Sequence, residues 1–335
     1  MKSYEDFKEF YSEELLAELL ELDKLRKGLL IKSGIITIIV FIAASLVFPF
    51  FLIEDFESFE LAILFWILCG WVWFAAIRFF GQEYRSNFKK MIIEPLIRFI
   101  DPHLRYSSEG SIDLLTFRRA EIFQRYVNDL KGEDLVAGTI GKTSILFSEV
   151  RAYYNEENDQ SVLGSIFEDE SGSVKNPKCK KRVFKGLFFV ADFNKDFFGQ
   201  VLIMPDKAEK FFGRFGKMLQ SHNIIRGKLM NMDNAEFEKK FVVYGSDQIQ
   251  TRYVLSPAIM NKILDFHKKT ENSICLSFKN SILYIAVPCK RNLFEPKYFK
   301  SLVNYIDTFQ YFQDLRLFIG IVDEFNLNTR IWTKE

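Results

Sequence analysis

The chain has 335 residues, of which 48% are hydrophobic, 16% aromatic and 27% charged. Its 45 basic and 44 acidic side chains give a net charge of +1. This balance excludes a strongly basic nucleic-acid-binding protein and an acidic disordered tail, and the length allows one to three domains.

Two apolar segments near the N-terminus predict membrane-spanning helices. Residues 33–53 carry no charge over 21 residues, which is about 32 Å of helix and enough to cross a bilayer core. Residues 61–80 are uncharged up to Ile77, and Arg78 can extend its side chain to the interface. Because only helices and closed barrels satisfy their backbone in lipid, we expect a two-span transmembrane helical hairpin. A pair of buried core helices in a soluble protein is the alternative.

The distribution of basic residues predicts the orientation of this hairpin. The link 54–60 contains four acids and no base. Basic side chains lie instead before the first span, at Lys24, Arg26, Lys27 and Lys32, and after the second, at Arg78, Arg85, Lys89, Lys90 and Arg98. By the positive-inside rule, both termini are expected to be cytoplasmic and the link external, in a multi-pass protein of the inner cell membrane.

The spans are expected to be flanked by cytoplasmic helices. Residues 1–32 predict an amphipathic helix that Ser3 can cap. Residues 81–105 predict a helical stalk, which Pro95 should kink or restart. The remaining residues, 106–335, are expected to form a cytoplasmic α+β domain with mainly antiparallel strands.

Within this domain the apolar period changes along the chain. Helices are predicted at 112–129, 207–220, 257–269 and 297–327, and strands at 134–140, 143–151, 183–191, 199–204, 239–244, 273–278 and 282–287. Residues 155–181 are polar, acidic at first and basic at the end, and predict a long mobile loop.

A segment that begins at Gly138 resembles a phosphate-binding loop. Its sequence through Thr143 is GTIGKT, but Val136 occupies the position where that motif requires its first glycine. A strand pattern follows where a helix is needed. The segment therefore predicts a β-hairpin turn at Gly141 and Lys142, with no support for nucleotide hydrolysis.

Two groups of residues are candidate binding sites. A basic run, Lys175, Lys178, Lys180, Lys181, Arg182 and Lys185, could contact anionic lipid or an acidic partner. The alternative is a solvated loop end balanced by the acids before it. The run lacks the interleaved aromatic residues of a nucleic-acid site.

The second group could bind a ligand or partner and consists of Tyr244, Asp247, Arg252 and Tyr253. Asp247 can also simply cap a short helix, because Gln250 follows three residues later.

The chemistry-bearing residues predict neither a metal site nor a cofactor. The cysteines, Cys69, Cys179, Cys275 and Cys289, have no metal-ligand or redox spacing, and the histidines, His103, His222 and His267, lie far apart. No nucleophile and base pair stands out, which favours a non-enzymatic protein.

Three segments carry a resemblance to a known family. They are GEDLVAGTIGKTSILFSEV at 132–150, FKGLFFVADF at 184–193 and VYGSDQIQTRYVLSP at 243–257. With them the chain resembles a bacterial membrane-protein family of unknown function, domain-of-unknown-function family 3137, over most of its length. The resemblance implies a two-span protein with a cytoplasmic domain and supplies no catalytic residues. It also suggests a LemA-type membrane protein as a partner.

These observations favour a membrane-anchored binding or scaffold domain at the cytoplasmic face, in contact with the lipid bilayer and a protein partner. The alternative is a membrane-tethered sensor or enzyme that binds a small ligand in a pocket of the α+β domain. A transporter component is a third hypothesis, disfavoured because neither uncharged run, 33–53 or 61–77, contains an acidic or basic residue.

Overall fold

The structure is a computed structural model that describes residues 2–47, 58–123, 125–155, 180–206 and 227–328. The chain divides into two compact units. We call them the helical unit, within Lys2–Leu96 and Phe294–Phe312, and the sheet unit, within Ile97–Leu293 and Gln313–Glu335.

The helical unit begins with the predicted N-terminal helix. Helix α1 is Tyr4–Phe10, a π-helical turn covers Tyr11–Leu15, and α2 is Leu16–Val47. The Ser3 hydroxyl accepts from the Asp6 amide at 3.1 Å, and the Asp6 carboxylate accepts from the Ser3 amide at 2.7 Å. This reciprocal capping box satisfies amides that a free helix end would leave unpaired, and it confirms Ser3 as the cap.

The second long helix, α3, is Ser58–Phe88. It continues through a π-helical turn, Lys89–Ile93, into α4, Glu94–Ile100. The π turn comes directly before Pro95, whose ring would collide with the carbonyl four residues earlier in a regular α-helix. The helix thus continues through Pro95 to Ile100, and the π turn accommodates the proline ring.

Helices α2 and α3 lie side by side and run antiparallel. Trp73 Nε1 donates to Thr37 Oγ1 at 2.7 Å, and Lys32 Nζ lies 5.4 Å from the centre of the Phe80 ring. Among the described residues, one helix, Ile63–Ile100, is long and apolar enough to cross a membrane. The first predicted span is described only as far as Val47, and most of the predicted link lies outside the described residues.

An aromatic cluster forms the core at one end of the helical unit. The fully buried Phe7 ring stacks on Phe312 with centroids 4.4 Å apart and also contacts Tyr305 and Phe309. These partners lie on α9, Tyr305–Ile319, which is followed by α10, Ile321–Glu324.

The prediction of one helix over 297–327 is wrong in two respects. The helix begins only at Tyr305, and it is divided into α9 and α10. The Asn304 side chain accepts from the Ile306 amide at 3.1 Å at the first turn of α9. The preceding residues form turns instead, which are held against α2 by polar contacts. One of them joins Ser301 Oγ to Asp23 Oδ1 at 2.8 Å.

The sheet unit contains a single antiparallel sheet. Within the described residues it has nine strands, in the order β1-β2-β3-β4-β9-β8-β5-β7-β6. The strands are β1 Leu104–Ser107, β2 Asp129–Ile140, β3 Thr143–Asn155, β4 Lys180–Asp192, β5 Gln200–Pro205, β6 Lys228–Met230, β7 Phe241–Gly245, β8 Cys275–Lys279 and β9 Ile282–Pro288. The predicted antiparallel character is confirmed. The predicted loop 155–181 lies almost entirely outside the described residues, as does the predicted helix 207–220.

The predicted helix over 112–129 is wrong beyond its first turns. Helix α5 covers only Leu114–Arg119, capped by Asp113, and Glu121 adopts a positive φ of 49°. The chain then pairs with β3 as strand β2. Asn128 Nδ2 donates to the Asn155 carbonyl at 2.8 Å, and the Asn155 amide donates back to Asn128 Oδ1 at 2.8 Å, so the start of β2 is fixed to the end of β3.

Both faces of the central strands are buried. The α5 segment covers one face, where Phe117 packs on Phe188 with ring centroids 4.7 Å apart. Three further helices follow in chain order: α6 is Ala235–Glu238, α7 is Gln248–Val254 and α8 is Pro257–Thr270. The start of α8 confirms the predicted signal, with Pro257 at its first position.

The segment that resembles a phosphate loop is a hairpin turn, as predicted. Ile140 pairs with Thr143 across the turn, and Gly141 has a φ of +60°, a conformation that glycine adopts without strain. Asn328 Oδ1 accepts from the Lys142 amide at 3.0 Å and from Thr143 Oγ1 at 2.9 Å. The donors that a phosphate loop would present to a nucleotide are used within the fold.

Candidate functional site

A charged cleft lies across strands β2, β3 and β4. The strand register places Lys131 opposite Arg151, and Arg151 opposite Lys185. Side chains directly opposite each other in a sheet point to the same face, so these three bases form a row. The cavity has a volume of about 60 Å³, well above the roughly 10–15 Å³ that one water needs. Its charged lining residues are Lys131, Glu133, Glu149, Arg151, Lys185 and Arg291.

The cleft contains more positive than negative charge. Four of these lining residues are basic and two are acidic. Arg151 Nη2 lies 3.4 Å from Glu133 Oε1, and Arg291 Nη2 lies 2.6 Å from Asp314 Oδ2. Bases directly opposite each other on neighbouring strands repel, at roughly 0.2–1 kcal/mol per pair. An anion between them would relieve this repulsion, so the cleft is suited to a small anionic group.

The hydrogen bonds around the cleft fix its wall. Lys185 Nζ donates to the Lys290 carbonyl at 3.2 Å. The Glu149 carboxylate accepts from the backbone amide of Leu293 and is mostly buried. The segment after β9 is therefore tied to β3 and β4, which places Arg291 beside the row of bases.

Cys289 also lines the cleft, but its thiol is poorly suited to nucleophilic chemistry. Burial raises the pKa of Cys289 to about 11, so the thiol stays protonated at neutral pH, whereas the reactive form is the thiolate. Its Sγ donates to the Val287 carbonyl at 3.5 Å. The arrangement supports binding of an anion rather than covalent catalysis.

The basic run predicted from the sequence contributes one residue to this cleft. Lys185 lines it, whereas Lys180 pairs with Asp129 and lies 4.1 Å from the centre of the Tyr153 ring. Lys181 and Arg182 are exposed at the start of β4. The other two members of the run, Lys175 and Lys178, lie outside the described residues.

The second predicted group does not line this cleft. Asp247 caps α7, accepting from the Gln250 amide at 2.8 Å, which confirms its predicted capping role. Arg252 Nη2 lies 3.7 Å from Asp233, and both side chains are exposed. Tyr244 packs against the edge of the sheet core. Lys195 Nζ lies 5.6 Å from the centre of the Tyr253 ring.

Comparison with known proteins gives one family match. Residues 182–327 match the family described as Protein of unknown function (DUF3137). The match confirms the resemblance to this family over these residues, which contain the segments 184–193 and 243–257. The segment 132–150 and both apolar segments lie outside the match. No match was found among curated proteins or among solved structures.

The residues that match this family include part of the cleft. They include Lys185, Cys289 and Arg291, whereas Lys131 and Arg151 precede them. Sequence analysis missed these two bases and Arg291, because the three lie far apart along the chain and in no recognised motif. The available signal was a base on β2 and one on β3, but only the strand register shows that they are adjacent.

Proposed function

We propose that the chain is a membrane-anchored binding protein, in which α2 and α3 cross the bilayer as a helical hairpin. The main support is the apolar surface that these two antiparallel helices expose. Its large side chains, each between 38% and 73% exposed, are Ile31, Ile35, Ile38, Ile39, Phe41, Ile42, Ile63, Leu64, Trp66, Ile67, Leu68, Trp71, Val72, Trp73, Phe74 and Phe79.

A surface of this kind is unfavourable in water. Soluble monomers rarely expose contiguous apolar patches of more than a few hundred Å², and lipid would cover the side chains of both helices. The described residues of the two uncharged runs, 33–53 and 61–77, include no acidic or basic side chain, and Arg78 lies at the end of the second apolar segment. The polar Thr37 hydroxyl and Trp73 indole are paired with each other, which lowers the cost of placing them in lipid. The lack of acidic and basic side chains in the described residues of these runs favours an anchor over a transporter component.

The distribution of basic residues sets the proposed orientation. Lys and Arg lie on the outer flanks of both apolar segments, whereas the link is acidic. Both termini and the sheet unit would then be at the cytoplasmic face of the inner membrane. The family resemblance suggests a LemA-type membrane protein as a partner of the chain.

Flotation of the full chain tests the anchor. The chain, reconstituted in phosphatidylcholine vesicles, is expected to float with the lipid after washing at alkaline pH, which removes peripheral proteins. Recovery of the washed protein in the lipid-free fraction would contradict a spanning hairpin.

A second candidate function is recognition of a small anion by the sheet unit. It is favoured by the row of Lys131, Arg151 and Lys185 around one cleft. This function would make the protein a tethered ligand-binding sensor. It is compatible with the anchor, because the cleft lies in the sheet unit.

Calorimetric titration of the full chain in detergent with inorganic pyrophosphate tests this function. Lys185→Gln removes one charge-assisted hydrogen bond, worth about 1.5–3 kcal/mol, and is expected to weaken binding by at least about tenfold. Lys228→Gln, at an exposed base on β6, is the matched control and should bind as the wild type does. Equal affinities for the Lys185→Gln variant and the wild type would contradict recognition at the cleft.

A further inference from the structure

We propose that the turn Tyr298-Phe299-Lys300 is a second membrane contact, in which Phe299 inserts into the interface between headgroups and acyl chains. We call these three residues the interfacial turn. The inference rests on the proposed function, since it requires α2 and α3 to span the bilayer.

The interfacial turn is fixed to the two long helices at its first residue. The Tyr298 ring lies 5.6 Å from the Tyr84 ring, between centroids, and a Cβ added at Gly81 would lie 3.5 Å from it. Arg26 Nη1 donates to the Tyr298 carbonyl at 3.4 Å. Tyr298 thus contacts both helices of the pair.

The residue after the turn is fixed as well. Ser301 Oγ donates to Asp23 Oδ1 at 2.8 Å, and Asp23 also pairs with Arg26 and Lys27. Burial alone would raise the pKa of Asp23, but hydrogen bonds from Lys27, Ser301 and Arg26 lower it to about 2. The carboxylate is therefore ionised at neutral pH, and the turn is clamped at both ends.

These contacts place the turn at the end of the apolar segments. Gly81 directly follows segment 61–80, and Arg26 precedes Ser33 by seven residues, about 10 Å along a helix. The Lys32 contact with Phe80 confirms that these helix positions lie side by side. In a spanning hairpin this is the level of the headgroups, which occupy roughly 5–8 Å on each side of the core.

The side chains at this level match a bilayer surface. Phe299 is 89% exposed although Tyr298 beside it is half-buried. Exposed bases at Lys27, Lys32, Arg78 and Lys300 accompany it, against the exposed acid Glu83. An apolar ring surrounded by bases fits an anionic lipid interface, where the ring reaches the acyl chains and the bases contact phosphates. The continuity of this surface with the apolar helices favours lipid over a protein partner.

Ile306 provides an internal comparison. It is 71% exposed and lies in the same chain segment as Phe299. Its neighbour Tyr305 packs on Tyr11, with ring centroids 5.1 Å apart. Tyr11 precedes Arg26 by 15 residues, so Ile306 lies about 20 Å further from the proposed membrane along the helix.

Site-specific photocrosslinking of the full chain tests the interfacial turn. The photoreactive residue p-benzoylphenylalanine replaces Phe299, Ile306 or Phe74, one at a time. Each protein is reconstituted in vesicles of phosphatidylcholine and phosphatidylglycerol and illuminated. Mass spectrometry then measures the fraction of the protein that carries a phospholipid adduct. We expect phospholipid adducts at positions 74 and 299, with a yield at 299 several-fold above that at 306.

The three positions separate the failure of this inference from the failure of the proposed function. An adduct at 74, together with equal yields at 299 and 306, would overturn the interfacial turn and leave the hairpin in place. No adduct at 74 would overturn the spanning hairpin and the inference that rests on it. Phe74 and Phe299 are both exposed, so the substitutions leave the fold intact and each result can be interpreted.

Discussion

Replacing Ile38 and Ile67 with arginine is expected to release the chain from the membrane. Both side chains are exposed, one on each apolar helix. An arginine at the centre of a spanning helix costs about 2.5–3.5 kcal/mol on insertion scales, so the two together cost about 6 kcal/mol. We expect the double variant to lose flotation with vesicles and to collect in the aggregated fraction.

Arginine substitutions on the sheet unit control for a general effect of added charge. Leu115 and Leu229 are 63% and 57% exposed, close to the 60% of Ile38 and 62% of Ile67. The Leu115→Arg and Leu229→Arg double variant should float as the wild type does. Undiminished flotation of the Ile38→Arg and Ile67→Arg variant would show that these helices do not enter the bilayer.

Replacing Phe7 with alanine is expected to cause a large loss of stability in the helical unit. The ring is fully buried and contacts Phe312, Tyr305 and Phe309. Deleting a buried phenylalanine ring costs about 3–5 kcal/mol, because the transfer energy is lost and a cavity remains. Since Phe7 joins the first helix to α9, the loss should separate these elements.

Thermal unfolding of the detergent-solubilised chain measures this loss. Ile306→Ala, at an exposed position on α9, is the control and should change the free energy of unfolding by less than about 0.5 kcal/mol. Similar midpoints for the two variants would mean that Phe7 does not hold the first helix in place.

The elements that the sequence predicted correctly have local signals. The β3 and β4 strands follow runs of alternating or continuous apolar residues, and α8 has a proline at its first helical position. The GTIGKT segment was also predicted correctly, because Val136 and the strand pattern after it argue against a phosphate loop. Strands β1 and β6 are absent from the predicted strands, because they have only four and three residues, too few to show an apolar period.

The errors arise where long-range contacts override local pattern. Residues 120–129 have helical spacing, yet the hydrogen bonds between Asn128 and Asn155 fix the start of β2 to the end of β3. The segment before α9 was predicted as helix, but its contact with Asp23 depends on a residue 278 positions away. The cleft was missed for the same reason, since Lys131, Arg151 and Lys185 become neighbours only through strand register.

Tryptophan quenching by brominated lipid tests the membrane anchor most directly. Trp66, Trp71 and Trp73 are exposed on α3 and are 45%, 68% and 38% accessible. The chain is reconstituted in vesicles whose acyl chains carry bromine, with vesicles of ordinary lipid as the reference. A spanning hairpin predicts that most of the tryptophan emission is lost in the brominated vesicles. Equal emission in the two kinds of vesicle would contradict the anchor and, with it, the interfacial turn.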